Sequence, residues 1–120
     1  MKLEDLEIYA LSRKISRGAW EIYKNFDWQD RKIIGDQFIS SIDSISANIA
    51  EGFGRFHYLD KNKFNYNSRG SLLEGLHWLE LLHERDKIKE DIFLALKNDL
   101  TNLHRGLNSY INSTKNQVDK

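Results

Sequence analysis

Glu74-x-x-His77 is the nearest this chain comes to a catalytic motif. On a helix the pair shares one face, the local spacing by which di-iron four-helix bundles present a carboxylate and an imidazole. Such a cage needs a second Glu-x-x-His and one glutamate from each of the other two helices. The nearest analogue is Thr101-x-x-His104, which lacks the carboxylate. Glu21 and Glu51 can be offered as the lone glutamates, but the cage stays incomplete. Zinc wants three or four converging ligands. His57, His77, His83 and His104 are scattered, and there is no cysteine. The expectation is therefore no metal and no cofactor, with a metal-dependent enzyme on Glu74 and His77 as a remote alternative.

Other catalytic patterns fare no better. Gly52-Phe53-Gly54 lacks the strand, the glycine spacing and the Lys-Ser/Thr of a phosphate loop. No serine, histidine and aspartate stand at a suggestive spacing, and triads are recognised by geometry rather than by sequence position. No enzyme is expected.

Two polar constellations remain. Arg55, Lys61, Lys63 and Arg69 are interleaved with Phe53, Phe56, His57, Tyr58 and Tyr66. Cations among aromatics could hold single-stranded RNA or DNA through phosphate contact and base stacking. Against this, 18 Lys and Arg balance 18 Asp and Glu, and a non-specific nucleic-acid binder needs a cationic surplus. The second constellation is small and polar: Ser44, Asn48, Glu51, Asn67, Ser71 and Glu74. It is expected to be a structural seam, since buried polar groups must find partners.

These residues need helices to position them, and four can be marked off. The first runs from about Leu3 to Asn25 with two apolar rows: Leu6, Tyr9, Arg13, Ser16, Trp20, Tyr23 and Ile8, Leu11, Ile15, Ala19, Ile22, Phe26. Asp27 is the expected N-cap of the second, whose seam is Ile34, Phe38, Ile42, Ile45 and Ile49. Gly52 and Gly54 supply permissive backbone for its end. Asp60 is the expected N-cap of the third helix, with Leu59 and Phe64 as a hydrophobic staple. Asp86 is expected to cap the fourth, which carries Ile88, Ile92, Leu96, Leu100, Leu103, Leu107 and Ile111.

Short connections between long amphipathic helices predict an all-α, antiparallel up-down-up-down four-helix bundle. Folding the second helix on the third pairs residues whose numbers sum to about 115, so Asn48 meets Asn67 and Ser44 meets Ser71. No proline interrupts any helix. The 120 residues form one domain, 1–120, with an ordered core over about 3–112. No apolar run is long enough to span a membrane, and the start does not resemble a signal peptide, so a cytoplasmic protein is expected. The double row on the first helix, and Ile33 and Ile39 off the seam of the second, exceed what one bundle hides. A homo-oligomer follows as the expected assembly, its own copies being the expected partner.

Asp36-Gln37, Ser44-Ile45, Asn48-Ile49-Ala50-Glu51-Gly52-Phe53-Gly54-Arg55, Phe64 and Arg69-Gly70-Ser71-Leu72-Leu73-Glu74 resemble the bacterial four-helix-bundle proteins also called 23S rRNA-intervening-sequence proteins. The opening Leu3-Glu4-Asp5-Leu6-Glu7-Ile8-Tyr9 is similar to that family's start, and the resemblance covers about residues 3–112. It implies an antiparallel bundle assembling as a homo-oligomer, typically a pentamer, with no established molecular function. A related branch comprises accessory proteins of diversity-generating retroelements, which are basic and work with a reverse transcriptase and nucleic acid. Where many members carry two arginines this chain has Ile39 and Ser40, and where many carry proline it has Ser46. The missing arginines weaken the nucleic-acid expectation, and Ile39 adds apolar surface.

Overall fold

Four long helices take up nearly all of the chain, and their limits follow from local chemistry. The structure, a computed structural model, describes residues 1–117 and contains no strand among them. After a 3₁₀ turn at Leu3–Asp5, α1 spans Glu7–Tyr23. Helix α2 begins as one turn at Trp28–Asp30, widens into a π turn at Arg31–Gly35 and continues as Asp36–Phe53. Helix α3 is Tyr58–Glu84, and α4 is Glu90–Lys115. The last helix thus outruns the expected core by a turn, and Thr114 is buried.

One row of α1 goes inward: Ile8, Ile15 and Ala19 are buried, with Leu11, Ile22 and Phe26 packed beside them. The other row is divided: Leu6 and Tyr9 pack against the edge of the core, and Arg13 and Trp20 are exposed. On α2 the expected seam of Ile34, Phe38, Ile42, Ile45 and Ile49 is fully in the core. Helix α4 adds Phe93, Leu96, Leu100, Leu103, Leu107 and Ile111. Helix α3 is divided. Its C-terminal half buries Leu72, Leu79 and Leu82, while its N-terminal half buries Asn62, Asn65 and Ser68.

Each helix touches its sequence neighbours, and α1 also packs on α4. The α2–α3 contact is the most extensive. Ser68 Oγ donates to the Ile45 carbonyl at 2.8 Å. Across α3–α4, Asn62 donates to the Ile111 carbonyl at 3.1 Å and Lys97 pairs with Glu80 at 2.8 Å. Lys14 and Asp99 join α1 to α4 at 3.3 Å. Tyr23 Oη donates to Asp36 at 2.5 Å across α1–α2. The whole measures 52 × 24 × 21 Å.

The helix ends show which local signals hold. Asp27 does cap α2, accepting from the Asp30 amide at 2.8 Å. Asp60 does not cap α3: extended His57 is the N-cap and Asp60 lies in the first turn, where its charge suits the helix dipole. Leu59 is 86% exposed, so no staple forms. Asp86 does not cap α4 either, because Lys89 holds that place. Asp86 instead ends α3 in the left-handed conformation, with φ at 56°. Its amide donates to the His83 carbonyl at 3.1 Å and that of Lys87 to Leu82 at 2.9 Å. This is a Schellman ending with aspartate where glycine is usual.

No glycine among the described residues has positive φ, so Gly52 and Gly54 do not end α2 by backbone freedom. Gly52 serves close approach instead. A Cβ there would lie 3.0 Å from the Lys61 carbonyl oxygen and 3.1 Å from Phe64 Cβ. Gly75 does the same further along, where a Cβ would sit 2.6 Å from Ile42 Cδ1. Cations finish the exposed helix ends: Arg31 donates to the Lys24 carbonyl at 2.9 Å and Lys61 to that of Phe53 at 3.1 Å.

Two stability measurements follow. Gly52→Ala forces α3 off α2 and lowers unfolding free energy by about 1–3 kcal/mol. Gly70→Ala, with nothing within 4 Å, raises it by about 0.5–1 kcal/mol through helix propensity. Equal effects in urea titration would refute the close-approach role. Asp86→Gly relieves the left-handed aspartate and raises stability by about 0.5–1 kcal/mol, seen as a higher thermal midpoint. A lower midpoint would contradict that account of the turn.

Candidate functional site

The small polar residues expected to form a seam lie along the outer margin of the α2–α3 contact. Ser44, Asn48 and Ser71 are half-buried, and Glu51, Asn67 and Glu74 are exposed. Each bond recorded for them is local. Asn48 donates to the Ser44 carbonyl at 2.9 Å, Arg55 to Glu51 at 2.7 Å, and Trp78 Nε1 to Glu74 at 3.1 Å. The buried polar residues between the helices are others. Asn62 reaches the Ile111 carbonyl, Asn65 donates to Asn62 Oδ1 at 2.9 Å, and Ser68 reaches Ile45. Asn65 is fully buried and its Oδ1 accepts from no group among the described residues.

The signal for this ladder was in the sequence. Asn62, Asn65 and Ser68 continue toward the N-terminus the three-and-four spacing of Leu72, Gly75, Leu79 and Leu82. A level-by-level pairing gives the height of a residue along the hairpin and not the side it faces.

Three of the four expected nucleic-acid contacts are engaged within the bundle. Arg55 pairs with Glu51 and lies 4.7 Å from the Phe64 ring centroid. Lys61 holds the Phe53 carbonyl. Arg69 donates to Asn108 at 3.0 Å and lies 5.1 Å from the Tyr66 ring centroid. Lys63 is exposed, near neighbours Leu59 and Tyr66 that are exposed too. Of the set, Arg55 and Lys63 are exposed, Arg55 with Glu51 as its ionic partner, and Lys61 and Arg69 are partly buried.

Glu74 and His77 do not converge with other ligands. His77 is exposed and meets the Trp78 ring edge-on at 4.8 Å. Among the described residues no three His, Cys, Asp or Glu side chains stand close enough to hold a metal ion. His83 is stacked on Phe93 at 3.8 Å and bonded to Glu90 at 2.5 Å, which ties the end of α3 to the start of α4.

Two open grooves run between helices. One, of about 700 Å³, has Arg13, Ser16, Arg17 and Trp20 on α1 and Asp43 and Ser46 on α2. The other, of about 430 Å³, has Tyr58, Leu59, Asn62 and Tyr66 on α3 and Thr114 and Lys115 on α4. Neither gathers an acid, a base and a nucleophile at bonding distance. The first leaves Trp20 52% exposed and the second leaves Leu59 and Tyr66 uncovered. Away from both grooves Trp28 is 74% exposed, and Ile33, Phe56 and Leu73 are also outside. Of the surplus expected on α1 and α2, Trp20 and Ile33 are exposed, whereas Leu6, Tyr9 and Ile39 pack against the core; Phe56, Leu59 and Leu73 add exposed surface from α3 and the turn before it.

The model of the 23S rRNA-intervening sequence proteins matches residues 4–109. The chain belongs to that family. Its fold is shared by a solved structure from Bacteroides thetaiotaomicron, described as a protein with unknown function from the S23 ribosomal protein family. That structure superposes with a TM-score of 0.81 at 25% identity, covering 87% of this chain and 97% of the other. No curated protein matches. In this member of the 23S rRNA-intervening sequence protein family, the Asn48–Arg55 block ends α2 and lies against the start of α3 through Gly52. No described helix is long and apolar enough to cross a membrane.

The α1–α2 junction gives a pH dependence. Donation to Asp36, then burial, raises the Tyr23 phenol above 10.0, and burial raises Tyr110. Folded values above the unfolded ones mean that the unfolded chain ionises first. The contribution is whole below pH ~10 and is lost as pH rises through the folded values. Thermal melts between pH 8 and 11, a range bracketing the ordinary tyrosine value of ~10, should fall at the alkaline end. Tyr23→Phe with Tyr110→Phe should flatten that fall; a slope as steep as wild type would count against both assignments.

Proposed function

We propose that this chain is an antiparallel up-down-up-down four-helix bundle, one domain over 1–120, working in the cytoplasm as a non-enzymatic homo-oligomeric interaction or scaffold protein. Contacts with opposed numbering support the topology: Gly52 beside Lys61 and Gly75 beside Ile42 between α2 and α3, Asn62 with Ile111 and Glu80 with Lys97 between α3 and α4, and Ile8 beside Gly106 and Lys14 with Asp99 between α1 and α4. The observation that carries the oligomer is the uncovered apolar surface. Trp20, Trp28, Phe56 and Leu59 are each at least half exposed in the single chain, while its core is already closed by other residues. Covering one such side chain fully stabilises by about 1.5–3 kcal/mol, so several together suffice for stable association. A pentamer is the subunit number that the family resemblance carries.

The non-enzymatic reading is supported by how the acid and base side chains are held. Glu51, Glu74 and His83 are in local bonds to Arg55, Trp78 and Glu90. An RNA- or DNA-binding accessory role ranks second, because Arg55 is paired with Glu51, and Lys61 and Arg69 are partly buried and bonded to other helices.

Light scattering coupled to gel filtration tests the proposal. Purified chain at micromolar concentration should elute at a defined multiple of its monomer mass, unaffected by nuclease treatment. A monomer, or a multiple that nuclease abolishes, would overturn the homo-oligomer.

A further inference from the structure

We infer that the α1–α2 edge is the surface by which copies of this chain meet, with Arg13 and Arg17 of one copy set against Asp43 of its neighbour around Trp20. The inference rests on the homo-oligomer proposed above and names its contact. Charge is distributed unevenly along the sequence here. From Ile8 to Trp20 there are three cations, Arg13, Lys14 and Arg17, and no acid. From Asp36 to Gly54 there are three acids, Asp36, Asp43 and Glu51, and no cation. Folding sets the two stretches side by side, and Arg13, Arg17, Trp20 and Asp43 line one groove.

The bonding there is incomplete in a particular way. Lys14 is paired with Asp99, Lys24 with Glu21, and Asp36 with Tyr23. Arg17 and Asp43 are both exposed, and neither side chain has an ion pair or hydrogen bond among the described residues. Arg13 is held in place by Tyr9, donating to its hydroxyl at 2.8 Å, and keeps its charge outward. Trp20 stacks on Tyr23 at 5.5 Å and leaves half its surface uncovered. Tryptophan and arginine are the residues most often found to dominate association energies.

Unmatched charges of both signs around an exposed tryptophan make a surface complementary to itself. A polyanion would meet Asp43 and Glu21, and a cationic peptide would meet Arg13 and Arg17. A second copy satisfies both signs at once. Opposed charges in such a contact fix its register, and raising salt weakens it.

Charge reversal with rescue tests this by sedimentation or light scattering. Arg17→Glu and Asp43→Arg should each raise the concentration for half-association by about tenfold or more. The double variant Arg17→Glu/Asp43→Arg should recover most of that loss, which a purely structural role would not produce. Trp20→Ala should weaken association with the helical circular dichroism unchanged. Should a reversal unfold the chain, Arg17→Gln and Asp43→Asn give the same comparison by charge removal. A monomeric wild type overturns the homo-oligomer itself and this contact with it. An oligomeric wild type unmoved by either reversal overturns only the contact and directs attention to Leu59 and Leu73 on α3. Dissociation by both singles without rescue by the double refutes the Arg17–Asp43 pairing.

Discussion

The close approach of α2 and α3 is the constraint on which the other contacts depend. It is permitted where Gly52 faces the Lys61 carbonyl and where Gly75 faces Ile42, positions where an added Cβ would crowd its neighbours. Because the backbones lie close, the short side chain of Ser68 spans the gap to the Ile45 carbonyl. The same approach sets Asn65 against Gly52 and from there fixes Asn62, which reaches α4. One ladder of small polar groups thereby ties three helices at one end of the rod. A wholly apolar end would slide more readily along α2. Directional bonds to named carbonyls fix the register.

Much of this fold is legible in the residues. The Ile34–Ile49 seam and the Asp27 cap are local patterns with one physical solution, and both appear as such. Other signals have two solutions, and tertiary contact chooses. Aspartate ahead of an apolar stretch suits an N-cap, yet it also suits a first turn, as Asp60 shows, or a left-handed ending, as Asp86 shows. Gly-x-Gly reads as a flexible stop, but its first glycine is needed by a neighbouring helix that no local pattern announces. The outer polar residues of α2 and α3 and the inner ladder differ by a rotation about the helix axis. Only the burial of Asn62, Asn65 and Ser68 against α2 and α4 settles which set is inside.

The cations illustrate why composition underdetermines a site. Arg31 and Lys61 sit where the partial negative charge of a helix C-terminus is strongest, and each donates to a carbonyl left free there. Arg55 and Arg69 lie over aromatic rings and reach polar partners of their own. Spacing alone assigns these side chains equally well to phosphates or to the bundle. In the folded chain Glu51 offsets the charge of Arg55, while neutral acceptors orient Lys61 and Arg69 without removing their charge. Charge without an ionic partner also lies along α1 and on the adjoining face of α2, at Arg17 and Asp43.

The cross-section of the bundle explains why so much aromatic surface stays outside. Between four helices there is space for roughly one seam from each, and α1 fills its share with Ile8, Ile15 and Ala19. Turning Trp20 inward would turn those residues out, so its exposure is a geometric consequence of its row. The half of Trp20 that stays exposed adds nothing to folding, and contributes only through what it meets. Its surroundings are already ordered, since Tyr23 stacks beneath it and Tyr9 fixes Arg13. Association at such a surface loses little side-chain entropy, which makes it favourable for contact even at modest area. The core is complete without it, and that completeness leaves the α1–α2 edge free to act between molecules.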